Sequence, residues 1–336
     1  MNKYHKILSA LVILLTAFAF SSCSWVKDDT DDCPNGIWLQ MQYDYNMLDV
    51  DAVKLIDDAT VFVYDSLGNY VRKMEITKDQ LEANGYRIDV SSLPEGYYDF
   101  VVWAGAEDSH YSIRDAQDLS LHHLALLTDR DASISENIGD LYYGGIQRVY
   151  IGKQYAVHPL KMIKDTNRIV CIVENESEED PISINDYTMQ IVANNGLYNA
   201  YNDPVPSNTN ATLSGVYYNP YSEEDVEIDD IDLGPHKAAR FGFNTLRLIE
   251  HDNTRLILKE KESGNEVFNI PMTEYLAQVS ELMLIKGRTP SVQEYLDRQD
   301  QHTFIICLSS DPNNKNAIMR CKVNNWILRT QEKVEL

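Results

Sequence analysis

Cationic side chains are scarce in this 336-residue chain: 29 Lys and Arg stand against 52 Asp and Glu, a formal charge of −23. No basic cluster offsets that balance locally, so phosphate backbones are repelled and nucleic acid is excluded as a partner. Cysteine is also sparse. Cys23, Cys33, Cys171, Cys307 and Cys321 are too few to frame a protein of this length and lack the close pairing of a zinc site. Cys307 and Cys321 lie equally far from Asn314, in the loop between two candidate strands, so they are a candidate disulfide if the thiols face each other. Two buried thiols are the other reading.

Catalytic signatures are missing too. There is no Gly-x-Ser-x-Gly, no His-Glu-x-x-His and no glycine-rich phosphate loop, and Gly144-Gly145 reads as a turn behind two tyrosines. The expectation is a protein that is not an enzyme, with no cofactor and no metal site. His122 and His123 point to different faces of any regular element, so they read as surface histidines rather than a chelate. Asp49, Asp51, Asp57 and Asp58, and the run Glu223 to Asp232, match no calcium-loop spacing and read as solvated acidic loops.

No apolar run reaches the roughly 20 residues that span a membrane. The longest, Ile7 to Phe20, follows Lys3, His5 and Lys6 and closes on Ser21-Ser22-Cys23, which is the layout of a secretory leader over residues 1–22. Small residues before a cysteine suit a lipoprotein signal peptidase. Cys23 is therefore the expected lipidation site, its thiol carrying diacylglycerol and its freed amine a third acyl chain such as palmitate; stable anchoring needs more than one chain. Residues 23–36, with Asp28, Asp29, Asp31 and Asp32, have almost nothing to bury and read as an acidic, flexible stalk. The stalk also resembles the acidic tag of surface-exported lipoproteins in Bacteroidales-type bacteria.

What is present in quantity is short strands. Ala59–Tyr64, the turn Asp65-Ser66-Leu67-Gly68-Asn69 and Tyr70–Ile76 predict a hairpin, and Leu93-Pro94-Glu95-Gly96 turns into the aromatic and β-branched run Tyr97–Gly105. The leucine-rich stretch 115–128 fits a helix or a strand equally. Strand patterns resume at 147–173 and again at 183–192, 240–248, 254–259 and 266–270. One helix is predicted over 289–299, with Thr289 as cap and Pro290 at the first helical position. The pattern predicts an all-β fold of two β-sandwich domains with a few short helices, residues 37–165 and 166–336. Tyrosine is plentiful, 21 against 8 Phe and 4 Trp. Clusters such as Tyr43/Tyr45, Tyr198/Tyr201 and above all Tyr217, Tyr218 and Tyr221 serve either strand packing or an interaction surface for glycan or protein.

Several motifs in order carry a family likeness. Cys23, Cys33-Pro34, Val61-Phe62-Val63-Tyr64-Asp65-x-x-Gly68-x-Tyr70-Val71, Leu93-Pro94-x-Gly96-x-Tyr98 through Val102-Trp103-Ala104-Gly105, Gln293 through Asp300, and Val323-Asn324-x-Trp326 resemble the anchor subunits of Bacteroidales type V fimbriae. The resemblance implies two transthyretin-like sandwiches held by lipid on the outer membrane, facing the exterior. It implies stalk or accessory subunits as partners, a role in rooting a fimbrium and limiting its length, and no catalysis. In that superfamily, polymerising stalk subunits are cut after an early arginine, losing a strand and opening a groove. Here the first arginine is Arg72, inside the predicted hairpin. The first strand, expected at Ile37–Tyr43, should therefore be kept, although Lys27 and Lys54 leave room for a protease of other specificity. The competing expectation is a surface lipoprotein that binds glycans through its tyrosine-rich sandwich faces.

Overall fold

Alternating apolar and polar side chains build the first strand, β1 (Ile37–Gln42), in which Ile37, Leu39 and Met41 are buried and the residues between them are not. The computed structural model describes residues 35–177, 181–205, 215–230, 234–309, 318–324 and 326–328. The leader, Cys23, Cys33 and nearly all of the stalk lie outside the described residues.

After β1 come β2 (Asp58–Asp65), β3 (Tyr70–Thr77), helix α1 (Lys78–Ala83), β4 (Arg87–Asp89) and β5 (Gly96–Ala104). Short strands β6 (Tyr111–Arg114), β7 (His123–Leu126) and β8 (Ser133–Ile134) precede the long β9 (Tyr142–Ile151) and β10 (Ala156–Lys164). Seven of these form one sheet in the order β3-β2-β5-β9-β10-β1-β4. The sheet turns a corner at β10, whose first six residues run parallel to β1 while Met162–Lys164 pair antiparallel with β9. Its two wings then share one core, with Leu39 and Met41 on one side and Val61, Phe100 and Val102 on the other.

Strands β2 and β5 are buried on both faces. Val61 and Val63 enter the first core, whereas Phe62, Tyr64, Val101 and Trp103 enter a second core shared with the rest of the chain. Burial on both faces is why these two strands read as unbroken apolar runs rather than as alternation.

The second half supplies β11 (Thr166–Asn175), β12 (Tyr187–Ala193), β13 (Leu197–Asn199), β14 (Val216–Tyr218), β15 (Ser222–Asp230), β16 (Gly234–Leu246), β17 (Arg255–Glu260) and β18 (Glu266–Pro271). Helices α2 (Met272–Ser280) and α3 (Val292–Arg298) follow, and then β19 (Gln301–Leu308), β20 (Ile318–Val323) and β21 (Trp326–Leu328). One six-stranded sheet, β15-β16-β11-β19-β20-β21, lies wholly in this half. The two smaller sheets do not respect a division at residue 165. In the order β18-β17-β12-β14-β8 the last strand comes from the first half, and in β13-β7-β6 the first strand comes from the second. The halves therefore exchange strands across the shared core. The fold is all-β, as the strand pattern predicts.

Three local expectations change. The stretch 115–128 is a turn followed by strand β7, because Leu124 and Leu126 pack inward while the backbone pairs with β6 and β13. The helix predicted from Thr289 starts later, with Ser291 as its cap: the Ser291 hydroxyl accepts from the Glu294 N–H at 3.1 Å. Helix α2 was not expected from the pattern, although Met272, Leu276 and Val279 fall one helical turn apart and all are buried.

The candidate disulfide is corrected. β19 and β20 do form a hairpin, but the register sets Cys321 opposite Ile306 and Cys307 opposite Arg320. Directly opposed residues share a face and neighbours in a strand do not, so the two sulfurs point to opposite sides of the sheet. Neither is in a disulfide, and both are buried. Burial pushes the Cys321 thiol up to about 12, so it is also a poor nucleophile.

Candidate attachment site

The first strand is part of the fold rather than an addition to it. All six residues of β1 pair with β10, from Ile37 opposite Ala156 to Gln42 opposite Lys161, and Trp38, Leu39 and Gln40 pair with β4 on the other side. Ile37, Leu39 and Met41 are 2%, 0% and 0% exposed. Each such side chain stabilises by roughly 1.5–3 kcal/mol relative to exposure, so withdrawing the strand would cost several kcal/mol and open an apolar groove. That groove would be flanked by two unpaired sheet edges.

The start of the strand is pinned. Ile37 N–H donates to Ser91 Oγ at 2.7 Å, and Val90 N–H donates to the Ile37 carbonyl at 2.9 Å. Gly36 sits at φ +87°, and a Cβ there would lie 2.6 Å from Ser91 Oγ, so only glycine lets the incoming chain pass. The Arg87 guanidinium covers the Trp38 ring at 5.2 Å.

Beyond the other end of β1 the chain is tied to the second half. Tyr43 is buried edge-on against Tyr142, and burial raises its phenol above the usual range. Arg298, on α3, lies 4.2 Å from the Tyr45 ring centre and donates to the Asn46 carbonyl at 3.1 Å. Asp49 pairs with Lys286 at 2.9 Å. Arg298 is held in turn by Glu294, one helical turn back, at 3.1 Å.

A second tie sits at the chain crossing between the two large sheets. Asp165, between β10 and β11, is fully buried. Its Oδ1 accepts from Asn202 Nδ2 at 2.9 Å and lies 3.5 Å from Arg247 Nε, close enough to pair charge but not aligned as a hydrogen bond. The Arg247 guanidinium also donates to the Asn202 carbonyl at 2.6 Å and reaches Asp297 on α3 at 3.5 Å. Burial pushes the Asp165 carboxyl up to about 7, with Arg247 pulling the other way. Next to it, Lys164 bridges Asp140 at 3.0 Å and Asp300 at 2.9 Å. This network joins charged groups of both halves in low dielectric and suits a structural clasp.

The tyrosine cluster divides. Tyr217 is 42% exposed and Tyr221 half-buried, but Tyr218 is in the core, where its hydroxyl donates to Asn195 Oδ1 at 2.8 Å and accepts from Leu246 N–H at 3.2 Å. Strand alternation along β14 puts the two neighbours on opposite faces, so Tyr218 is no member of an interaction surface. The reading of His122 as a surface histidine is also corrected. It is fully buried between Tyr64 and Trp103, and only His123 keeps contact with solvent. Of the acidic run, Glu223 to Asp230 belong to the edge strand β15 rather than to a loop, and Asp232 lies outside the described residues. Asp225 there accepts from Ile184 N–H at 3.0 Å, tying β15 to the segment before β12.

No helix among the described residues is long and apolar enough to cross a membrane. The sequence could have shown the Arg247 clasp only as a lone arginine after an apolar strand, which is a weak signal.

Comparison with known proteins places this architecture. No curated protein sequence matches the chain. A proposed polysaccharide-binding protein from Bacteroides thetaiotaomicron is 29% identical, with a TM-score of 0.74 over 88% of this chain and 98% of that one. A proposed adhesin from the same organism, 24% identical, superposes with a TM-score of 0.75 over 88% and 98% of the two chains. The fimbrial anchor protein Mfa2 from Porphyromonas gingivalis, 16% identical, shares the fold with a TM-score of 0.65 over 89% and 100%. The family model of fimbrillin-A associated anchor proteins Mfa1 and Mfa2 matches residues 30–332, nearly the whole chain. The chain belongs to the family of fimbrillin-A associated anchor proteins.

Proposed function

We propose that this protein is a lipid-anchored root of a fimbrium, fixed to the outer membrane through Cys23, facing the exterior and joined to a stalk or accessory subunit. The observation that carries the reading is β1, which fills its own place between β10 and β4 with its apolar side chains in the core. A subunit that keeps its first strand offers no acceptor groove for a neighbour's donor strand, so strand addition cannot continue through it. No arginine precedes Arg72, which itself lies in β3, and this leaves the strand without the cut that the resemblance associates with polymerising subunits. A root of this kind ends polymerisation at the membrane, and fimbrial length then depends on how much of it is present. The same resemblance supports two transthyretin-like units whose chain crossing lies near residue 165, with β8 and β13 each completing a sheet of the other half. Glycan binding through Tyr217, Tyr218 and Tyr221 together has no support, since Tyr218 faces the core.

The test is Cys23→Ser in cells. Folded protein should leave the membrane fraction, and fimbriae should be shed into the medium and grow longer. Attached fimbriae of normal length on Cys23→Ser cells would refute the anchoring role. N-terminal sequencing adds an independent check: mature protein that starts after Gln42 would refute retention of the first strand.

A further inference from the structure

A cleft of about 380 Å3 opens where the solvent-facing side of the six-stranded sheet meets the segment leading into β9, and every residue lining it is polar or charged. Its floor follows from register. Arg168 on β11 is paired with Asn244 on β16 and with Gln301 on β19, so these three side chains form one row across three strands. The Asn244 amide is oriented by its neighbours: Nδ2 donates to the Ile138 carbonyl at 3.0 Å and to Asn137 Oδ1. Both amide hydrogens are then used, and Asn244 Oδ1 is left buried and without a partner. An acceptor in that state calls for a donor from a ligand or from water.

The rim supplies an aromatic face. Tyr221 lies against Gly242, where a Cβ would come within 3.2 Å of the ring, so glycine lets the ring lie low beside the floor. The far wall is Lys164, whose charge is already balanced by Asp140 and Asp300. Arg168 differs: it is exposed in the cleft, and no carboxylate pairs with its guanidinium among the described residues. Other described arginines also lack a carboxylate partner; what sets Arg168 apart is its place on the floor of this cleft, in one row with Asn244 and Gln301.

We propose that this cleft binds a short carbohydrate bearing a carboxylate, of the hexuronate type. Oriented amides and a phenol match sugar hydroxyls, a tyrosine ring gives a platform for the apolar face of a pyranose, and a free guanidinium takes a carboxylate through two parallel hydrogen bonds. The all-polar lining disfavours a lipid tail or an apolar peptide side chain. The volume is near the small end of the range of about 300–1,000 Å3 for ligand sites, which suits a mono- or disaccharide unit. At physiological salt, screening over about 8 Å confines the repulsion from the acidic remainder of the surface. Binding here is independent of membrane attachment, so it stands or falls separately from the anchor role.

Calorimetric titration of the full chain in detergent with digalacturonate tests the site, with cellobiose, acetate and inorganic phosphate as comparisons. Saturable one-site binding of digalacturonate is expected. Arg168→Gln should weaken it about tenfold or more, as loss of a charged hydrogen-bonding pair does. Tyr221→Ala should weaken it by about tenfold while Tyr221→Phe keeps most of the affinity. Thermal unfolding midpoints identify any variant that fails to fold, and Arg168→Lys then gives a second reading of the guanidinium. The proposal is overturned by an absence of saturation up to about 10 mM. It is equally overturned by cellobiose, acetate or phosphate binding as well as digalacturonate, or by binding that ignores both substitutions.

Discussion

His122 occupies a site that only one charge state fits. The Trp103 indole N–H donates to its Nε2 at 3.0 Å, and its Nδ1 lies 2.7 Å from the Tyr64 hydroxyl, which donates onward to the Ala116 carbonyl at 3.1 Å. Nε2 is thus an acceptor and Nδ1 carries the proton. An imidazolium would have to donate at Nε2 against an indole that can only donate. Burial drives the same way and lowers the ring to about 4 from an ordinary 6.5, as it does for His302. The unfolded chain therefore takes up these protons first. Stability from neutral His122 is complete above pH 6.5 and drains away as pH falls from there towards 4. Asp165 slopes oppositely: raised to about 7, it binds its proton more tightly in the fold, so its contribution declines as pH rises from about 4 to 7. His122→Gln isolates the histidine from that opposing trend. Urea unfolding at pH 7 should show a loss of about 1–3 kcal/mol from the broken buried hydrogen bonds. The gap to the parent should then narrow as the pH is lowered to 4.5, and a constant gap would count against a neutral His122.

At the scale of elements, the start of α3 separates two readings of the same segment. Thr289-Pro290 has the composition of a cap and first turn, but the hydroxyl that meets the helix N-terminus is that of Ser291. Ser291→Ala should destabilise by about 1 kcal/mol, the usual worth of an N-cap. Thr289→Ala should stay within about 0.5 kcal/mol, as for an exposed residue with no special role. Equilibrium denaturation of both variants decides the matter, and equal losses would put the cap in the wrong place. The cap bears on the larger structure because α3 carries Glu294, Asp297 and Arg298, which hold the loop after β1 and the Arg247 clasp. Strand β1 is similarly local in origin. Its alternation of Ile37, Leu39 and Met41 is legible in the chain, and so is the turn at Asp65, whose carboxylate is held below the ordinary range by hydrogen bonds from Asn69.

For the whole molecule, Arg247 matters because its partners come from Asp165 at the crossing, Asn202 after β13 and Asp297 on α3. Removing it as Arg247→Met leaves buried acids without a counter-charge, and a loss of about 3–5 kcal/mol is expected. Adding Asp165→Asn should recover part of that loss, since the amide needs no counter-charge and can still accept from Asn202. Thermal and denaturant unfolding of the single and double variants measure the coupling; simple additivity would mean that the two groups do not interact. The exchange of β8 and β13 predicts that these variants still unfold in one transition, because the second core runs through both halves.

The amino-acid sequence by itself determined the strand-rich class, the hairpin of β2 and β3, the first strand and the family likeness. The elements rest on residues close in the chain, where side-chain period and turn chemistry can be read directly, and the likeness rests on several such short motifs in order. Only the tertiary structure decided which faces meet. A one-residue offset between β19 and β20 turned Cys307 and Cys321 apart, strand alternation hid Tyr218 beside an exposed Tyr217, and Tyr64 and Trp103 drew His122 into the core. Register and strand order are set by pairing between separate strands, and periodicity within one strand carries no record of which partner it will find or at what offset. For the same reason, Arg168, Asn244 and Gln301 become one row only once β16, β11 and β19 lie side by side.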